Sequence, residues 1–134
     1  MWRLLFSIFF FVPMNGLATA DLLLQRCRIE NLEGHSGDSR CVMNYLDRLK
    51  QTQSVTIRNI RMALSKPDRD GSNHRNAHAS LKQTQIQWRR FVEADCRFEQ
   101  DVVGAPLAGL GCEIRHYESR NQRLKQLYES ELVR

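Results

Sequence analysis

The chain has 134 residues, with 20 Lys and Arg against 15 Asp and Glu, a net charge of +5 and 42% hydrophobic residues. That length permits one compact domain and excludes two. The basic excess is modest, far from the dense cationic surface of a nucleic-acid binder, so no nucleic-acid partner is expected.

The first twenty residues have the pattern of an export signal. A basic start, Met1-Trp-Arg3, precedes an unbroken apolar run from Leu4 to Val12, and Ala18-Thr-Ala20 forms an A-x-A cleavage site. The run is too short to span a bilayer as a mature helix. No cysteine stands at the cleavage point to carry a lipid. Residues 1–20 are therefore predicted to be a removed leader. Residues 21–134 are predicted to form a domain outside the reducing cytosol, without stable membrane insertion. Losing the leader removes Arg3 and no acid, which leaves 19 basic and 15 acidic side chains, a net charge of +4.

Four cysteines follow: Cys27, Cys41, Cys96 and Cys112. An even count in a small exported domain predicts disulfides. Three pairings are possible. Cys27–Cys41 with Cys96–Cys112 is preferred, because each pair brackets a short loop-like segment. Closing loops of about fifteen residues stabilises by roughly 3 kcal/mol each in the chain-entropy model. The close C-x2-C spacing of a zinc site is absent, and neither metal nor other cofactor is expected.

In chain order, Asp21 to Arg28 is a short lead-in, and Glu33-Gly-His-Ser-Gly-Asp38 reads as a loop. Asp38 or Ser39 is a suitable N-cap for the next helix. From Arg40 to Ser65, Val42, Tyr45, Leu49, Thr56, Ile60 and Leu64 mark one helical side, widened by Val55 and Ile57. Lys66-Pro67 ends it, since the residue before proline is biased out of helical geometry. Asp68 to Asn76 reads as an exposed linker, with Ser72 or Asn73 available as a cap.

The next helix is predicted from about Arg75 to Phe98. Leu81, Gln85, Trp88, Val92 and Cys96 recur at steps of three and four and so share a face, with Phe91 on its flank. Trp88 and Phe91 are expected to fill the core. Gly104-Ala-Pro-Leu-Ala-Gly-Leu-Gly111 then reads as a loop tied at its base by Cys96–Cys112. A last helix runs from Cys112 to about Leu132. Ile114, Tyr117, Leu124, Leu127 and Tyr128 point inward on it, Arg115, Arg123, Lys125 and Glu129 face water, and Glu113 lies in its first turn. The fold class is all-α: a small antiparallel bundle of three main helices with two disulfides.

The spacing Leu81-x3-Gln85-x2-Trp88-x2-Phe91-x4-Cys96, then a glycine-containing loop, then Cys112-x7-Arg120-x3-Leu124 resembles the LprI-like family, named for a lysozyme inhibitor. The resemblance covers roughly Cys27 to Leu127. Val92 stands where the family generally has Arg, and Tyr117 where it generally has Thr. The resemblance implies a periplasmic or secreted binding protein whose partner is a lysozyme or related muramidase, with the substrate cleft occluded. Animal lysozymes are strongly cationic, so two positive proteins would repel unless local patches are complementary. Glu93, Asp95, Glu99 and Asp101 around Cys96 offer such a patch, although Arg89, Arg90 and Arg97 interleave with it and predict a solvated face with local ion pairs.

Other candidates rest on single residues or short spacings. Arg120 is expected to bridge the helical hairpin through carbonyls or a carboxylate such as Glu93, with a fixed cation for a partner's acid as the alternative. Leu107 and Leu110, in the apolar loop, are either part of a protruding recognition surface or folded back on the bundle's end. His74-x3-His78 lacks a third ligand at local spacing, and His35 and His116 are isolated. No nucleophile elbow, phosphate loop or metal helix motif is present, so no enzymatic activity is expected. Two other functions fit the same features: an envelope adaptor binding anionic material, and an immunity protein against a cell-wall toxin.

Overall fold

The computed structural model describes Cys27, residues 35–66 and residues 75–133. The expected leader, the lead-in other than Cys27, and residues 68–74 of the expected linker, with its candidate caps Ser72 and Asn73 and with His74, lie outside the described residues, while Arg75 and Asn76, expected in that linker, are helical. Among the described residues, three long helices make up the fold: α1 (His35–Leu64), α2 (Arg75–Val103) and α3 (Pro106–Leu127), the last continued by a π-helical turn at Tyr128–Leu132. The all-α bundle with two disulfides is the architecture found. Direction alternates along the chain, so α1 and α3 run the same way and α2 runs against both. α3 packs along both partners, whereas α1 and α2 touch only briefly. At ~1.5 Å per residue, α1 spans about 45 Å.

The apolar side chains cluster at the two ends of the bundle. At the disulfide end, Val42 and Leu46 of α1 meet Ile114 and Tyr117 of α3 and the Cys27–Cys41 bridge, with Tyr45, Leu49, Trp88 and Leu110 packed around them. Beside them Val92 packs against the Cys96–Cys112 bridge. At the far end, Ile60, Leu64 and Leu124 are packed with Ile57, Leu81, Tyr128 and Leu132. Both disulfides therefore sit at one end and none at the other among the described residues.

The long glycine-rich loop is not formed. α2 continues to Val103, the chain reverses over Gly104 and Ala105, and α3 begins at Pro106. Proline suits the first turn of a helix, where its missing N–H has no intrahelical partner to lose. Gly104 (φ +69°) supplies the left-handed cap, its N–H donating to the Gln100 carbonyl at 2.8 Å. Gly109 lies inside α3 against α2. A Cβ there would come within 2.8 Å of Gln100 Oε1 and 3.4 Å of the Cys96 carbonyl. A glycine that looks like a breaker in the sequence thus lets two helices approach where the disulfide joins them.

Four further expectations are corrected. α1 starts at His35, so His35–Asp38 is helical and neither Asp38 nor Ser39 is an N-cap. Val55 is exposed, because the buried stripe of α1 runs through Leu46 and Gln53 instead. Leu127 lies at the surface, 38% exposed. Glu113 is two turns into α3 rather than in its first turn, and pairs with Lys50 of α1 at 3.2 Å.

Candidate functional site

Across the middle of the bundle, between the two apolar ends, runs a buried polar layer. Gln85 is 7% and Gln53 5% exposed, and Gln85 Nε2 donates to Gln53 Oε1 at 3.3 Å. Arg120 donates from Nε and Nη2 to Gln85 Oε1, at 3.0 and 2.8 Å. Its guanidinium also lies 5.8 Å from the Trp88 ring centroid. One turn beyond Tyr117, Asn121 Nδ2 donates to the Leu49 carbonyl at 2.9 Å, which fixes α3 against α1. Desolvation holds the Arg120 pKa below its usual value. Arg120 thus bridges the hairpin, but through the amide of Gln85 and not through Glu93, which pairs with Arg97 on its own helix.

From this layer toward the Gly104 turn, α2 and α3 are joined by a ladder of side chains. Trp88 meets Tyr117 edge to face, with centroids 4.9 Å apart. His116, isolated in the sequence, contacts Asp95 Oδ2 at 2.9 Å, and its ring stands nearly perpendicular to that of Phe91, with centroids 5.4 Å apart. Next come the Cys96–Cys112 bridge and the Arg115–Glu99 pair, in which Arg115 Nη2 reaches both carboxylate oxygens at 2.7 and 2.6 Å. The helical pattern places Arg115 toward water; it is instead half-buried in this pair. Much of the acidic cluster around Cys96 is in this way tied across the hairpin.

The ladder divides the surface of α2 into two flanks. On one, Arg89, Glu93, Arg97 and Gln100 form the wall of a groove of about 450 Å³, with Leu110, Glu113 and Tyr117 of α3 below. Lys50 of α1 contacts two of these residues, ion-paired to Glu113 and 5.6 Å from the Tyr117 ring centroid. On the other flank stand Phe91, Phe98 and Val102, 56%, 68% and 68% exposed.

The family-motif residues are brought together. Leu81 packs at the far end, Gln85 and Arg120 make the polar layer, Trp88 is half-buried beside it and Leu124 is buried. Phe91 is the exception: it does not fill the core, because α3 covers only one side of α2 there, where the His116 ring meets it in a T-shaped contact. Leu107 and Leu110 are helical and half-buried, and Leu110 packs on the disulfide-end core, so they form no protruding loop. Cys96, Cys112 and His116 bring their ligand atoms within 4.8 Å of one another. The sulfurs are bonded to each other, however, and offer no thiolate to a metal. Sequence reasoning missed Gln53, although a lone amide in the Leu46–Leu49–Ile57–Ile60 stripe was a usable signal. It also missed the Asp95–His116 pair, which no local spacing reveals.

These features define a small, disulfide-clamped helical protein built on an α2–α3 hairpin with a polar waist. A family model described as lysozyme inhibitor LprI matches residues 30–127, and the chain belongs to that family. Comparison with curated proteins and with solved structures gave no match. Among the described residues, no helix is long and apolar enough to cross a membrane.

Proposed function

We propose that this protein is an exported, non-enzymatic binding protein that inhibits a lysozyme or related muramidase by covering its substrate cleft. The observation that carries this is membership of the LprI family over residues 30–127. Two disulfides among the described residues, with no free cysteine, support a location outside the reducing cytosol, in the periplasm or beyond the cell. Occlusion needs a rigid body more than it needs reactive groups. The bridge, the ion pair and the aromatic contact that lock α2 to α3 supply that rigidity, and a preorganised surface loses little entropy on docking. Lytic activity of several lysozyme classes, measured with the purified protein at micromolar concentration, tests this. Inhibition of at least one class is expected, and no inhibition of any class would remove the proposal.

A second function is supported by a separate observation, the +4 charge of the chain without its first twenty residues. An envelope adaptor would bind peptidoglycan or anionic lipid in a salt-sensitive way. Absent or salt-insensitive binding in a sedimentation assay would count against it.

A further inference from the structure

We infer that the outer flank of α2, the line Phe91–Phe98–Val102, is the surface that seats the partner, and that the partner presents a cationic face. On the function proposed above, on which this inference rests, that partner is a lysozyme.

The three apolar residues stand at steps of seven and four, so they form a line along one side of the helix. All are more than half exposed. Scattered surface hydrophobics are ordinary, but two phenylalanines and a valine in line, on a face that no described element of the bundle covers, match the anchor residues of an interface.

The charges around Phe98 on this flank are acidic. Asp95 lies one turn before Phe98 and Asp101 one turn after it; Glu99, between them, is neutralised by Arg115. Asp101 has no ion-pair partner among the described residues, and His116 cancels Asp95 only while protonated. Arg89 and Arg97 line the groove on the opposite flank. Arg90 adds a cation next to Phe91, at the end of the line away from Asp101. In one direction a chain that is basic in total therefore presents a strip of aromatic side chains flanked by Asp95 and Asp101, which lessens the repulsion expected between two cationic proteins.

The same charges argue against a second copy as the occupant. A two-fold contact through this strip would bring Asp95 and Asp101 of each copy toward their equivalents, and like charges facing one another across an interface are costly. The strip is also held rigid from behind by the Cys96–Cys112 bridge and the Arg115–Glu99 pair.

The test is binding of a cationic animal-type lysozyme, followed by calorimetry and by association kinetics at two salt concentrations, with wild type, Phe98→Ala, Asp101→Lys and the groove-side control Arg89→Glu. Circular dichroism checks that all four proteins fold alike. Affinity is expected to fall at least tenfold for Phe98→Ala and Asp101→Lys, with Asp101→Lys slowing association most at low salt, while Arg89→Glu stays within twofold of wild type. If wild type binds and both strip variants bind within twofold of it, the surface assignment is overturned and the function stands. If wild type neither binds nor inhibits, the function fails and this inference fails with it. A concentration-dependent dimer in sedimentation that Phe98→Ala dissolves, with lysozyme binding unchanged, gives the strip to a second copy and also overturns the assignment.

Discussion

Arg120 directs two of its donors at a single oxygen, Oε1 of Gln85, and in doing so sets the register between α2 and α3. A forked guanidinium can satisfy one acceptor from two nitrogens, which an ammonium cannot do in the same geometry. The amide in turn donates to Gln53, so the three side chains act as one unit across all three helices.

Replacing Gln85 by Leu should lower stability by about 1–3 kcal/mol, because it strands the Arg120 donors and the Gln53 oxygen. Gln85→Glu should cost much less at neutral pH. The carboxylate pairs with Arg120, and the Gln53 Nε2, buried with no partner among the described residues, can turn to donate to it. Denaturant midpoints of the two variants check this; equal losses would refute the unit.

At the hairpin turn, Gly104→Ala should cost about 1 kcal/mol, since φ is +69° and a Cβ is unfavourable in the left-handed region wherever it points. Thermal unfolding measures it, and Gly104→Asn should lose less.

At Gly109 the outcome depends on size. The nearest obstacle to a methyl is the far end of the flexible Gln100 side chain, and alanine gains about 1 kcal/mol of helix propensity, so Gly109→Ala should be close to neutral. Gly109→Leu must also displace the Cys96 carbonyl side of α2 and should cost about 1–3 kcal/mol by overpacking. Denaturant unfolding of the pair, with the disulfide intact, checks this.

Breaking the Cys96–Cys112 bridge, as Cys96→Ala with Cys112→Ala, should lower stability by roughly 2–5 kcal/mol. Thiol-reactive mass mapping of the oxidised protein should label none of the four cysteines, in keeping with the two bridges.

Tyr45 gives a dependence on alkaline pH. Its hydroxyl donates to Glu118 Oε1 at 2.8 Å, and burial, then the hydrogen bond and the nearby carboxylate, raise its pKa above 10.0. A group raised in the folded state stabilises fully below its unfolded pKa, and that contribution is lost as pH rises through the folded value. Wild-type melting temperature should accordingly fall more steeply than that of Tyr45→Phe between about pH 9 and 12. Parallel slopes would show that the phenol contributes nothing through its proton.

The sequence was informative where periodicity and covalent closure agree. Leu81, Gln85, Val92 and Cys96 are at least half-buried on the predicted face, and Val42, Ile60, Leu64, Ile114, Tyr117 and Leu124 are buried as their spacing requires. It misled at Gly104–Gly111, where composition suggested a loop. Gly109 and Pro106 have helical uses there that composition does not separate from breaking: one allows close approach, and the other starts the helix. Phe91 was misplaced because a residue on the edge of a stripe is covered only if a neighbouring helix wraps that far, and α3 does not. Cross-hairpin partners such as His116 with Asp95 and Arg115 with Glu99 depend on how two helices rotate against each other, which no single-helix pattern contains.

With both covalent ties at the Gly104 end, the molecule resembles a clothes peg sprung at its hinge. Heat or a protease should loosen the other end first, near Leu64 and Leu132, where no disulfide among the described residues reinforces the packing. Hydrogen exchange would register this as a gradient along α2, fast beside Leu81 and slow beside Cys96. Phe98 would stay in place on the slow side while the other end frays, so a partly melted molecule could still keep its grip.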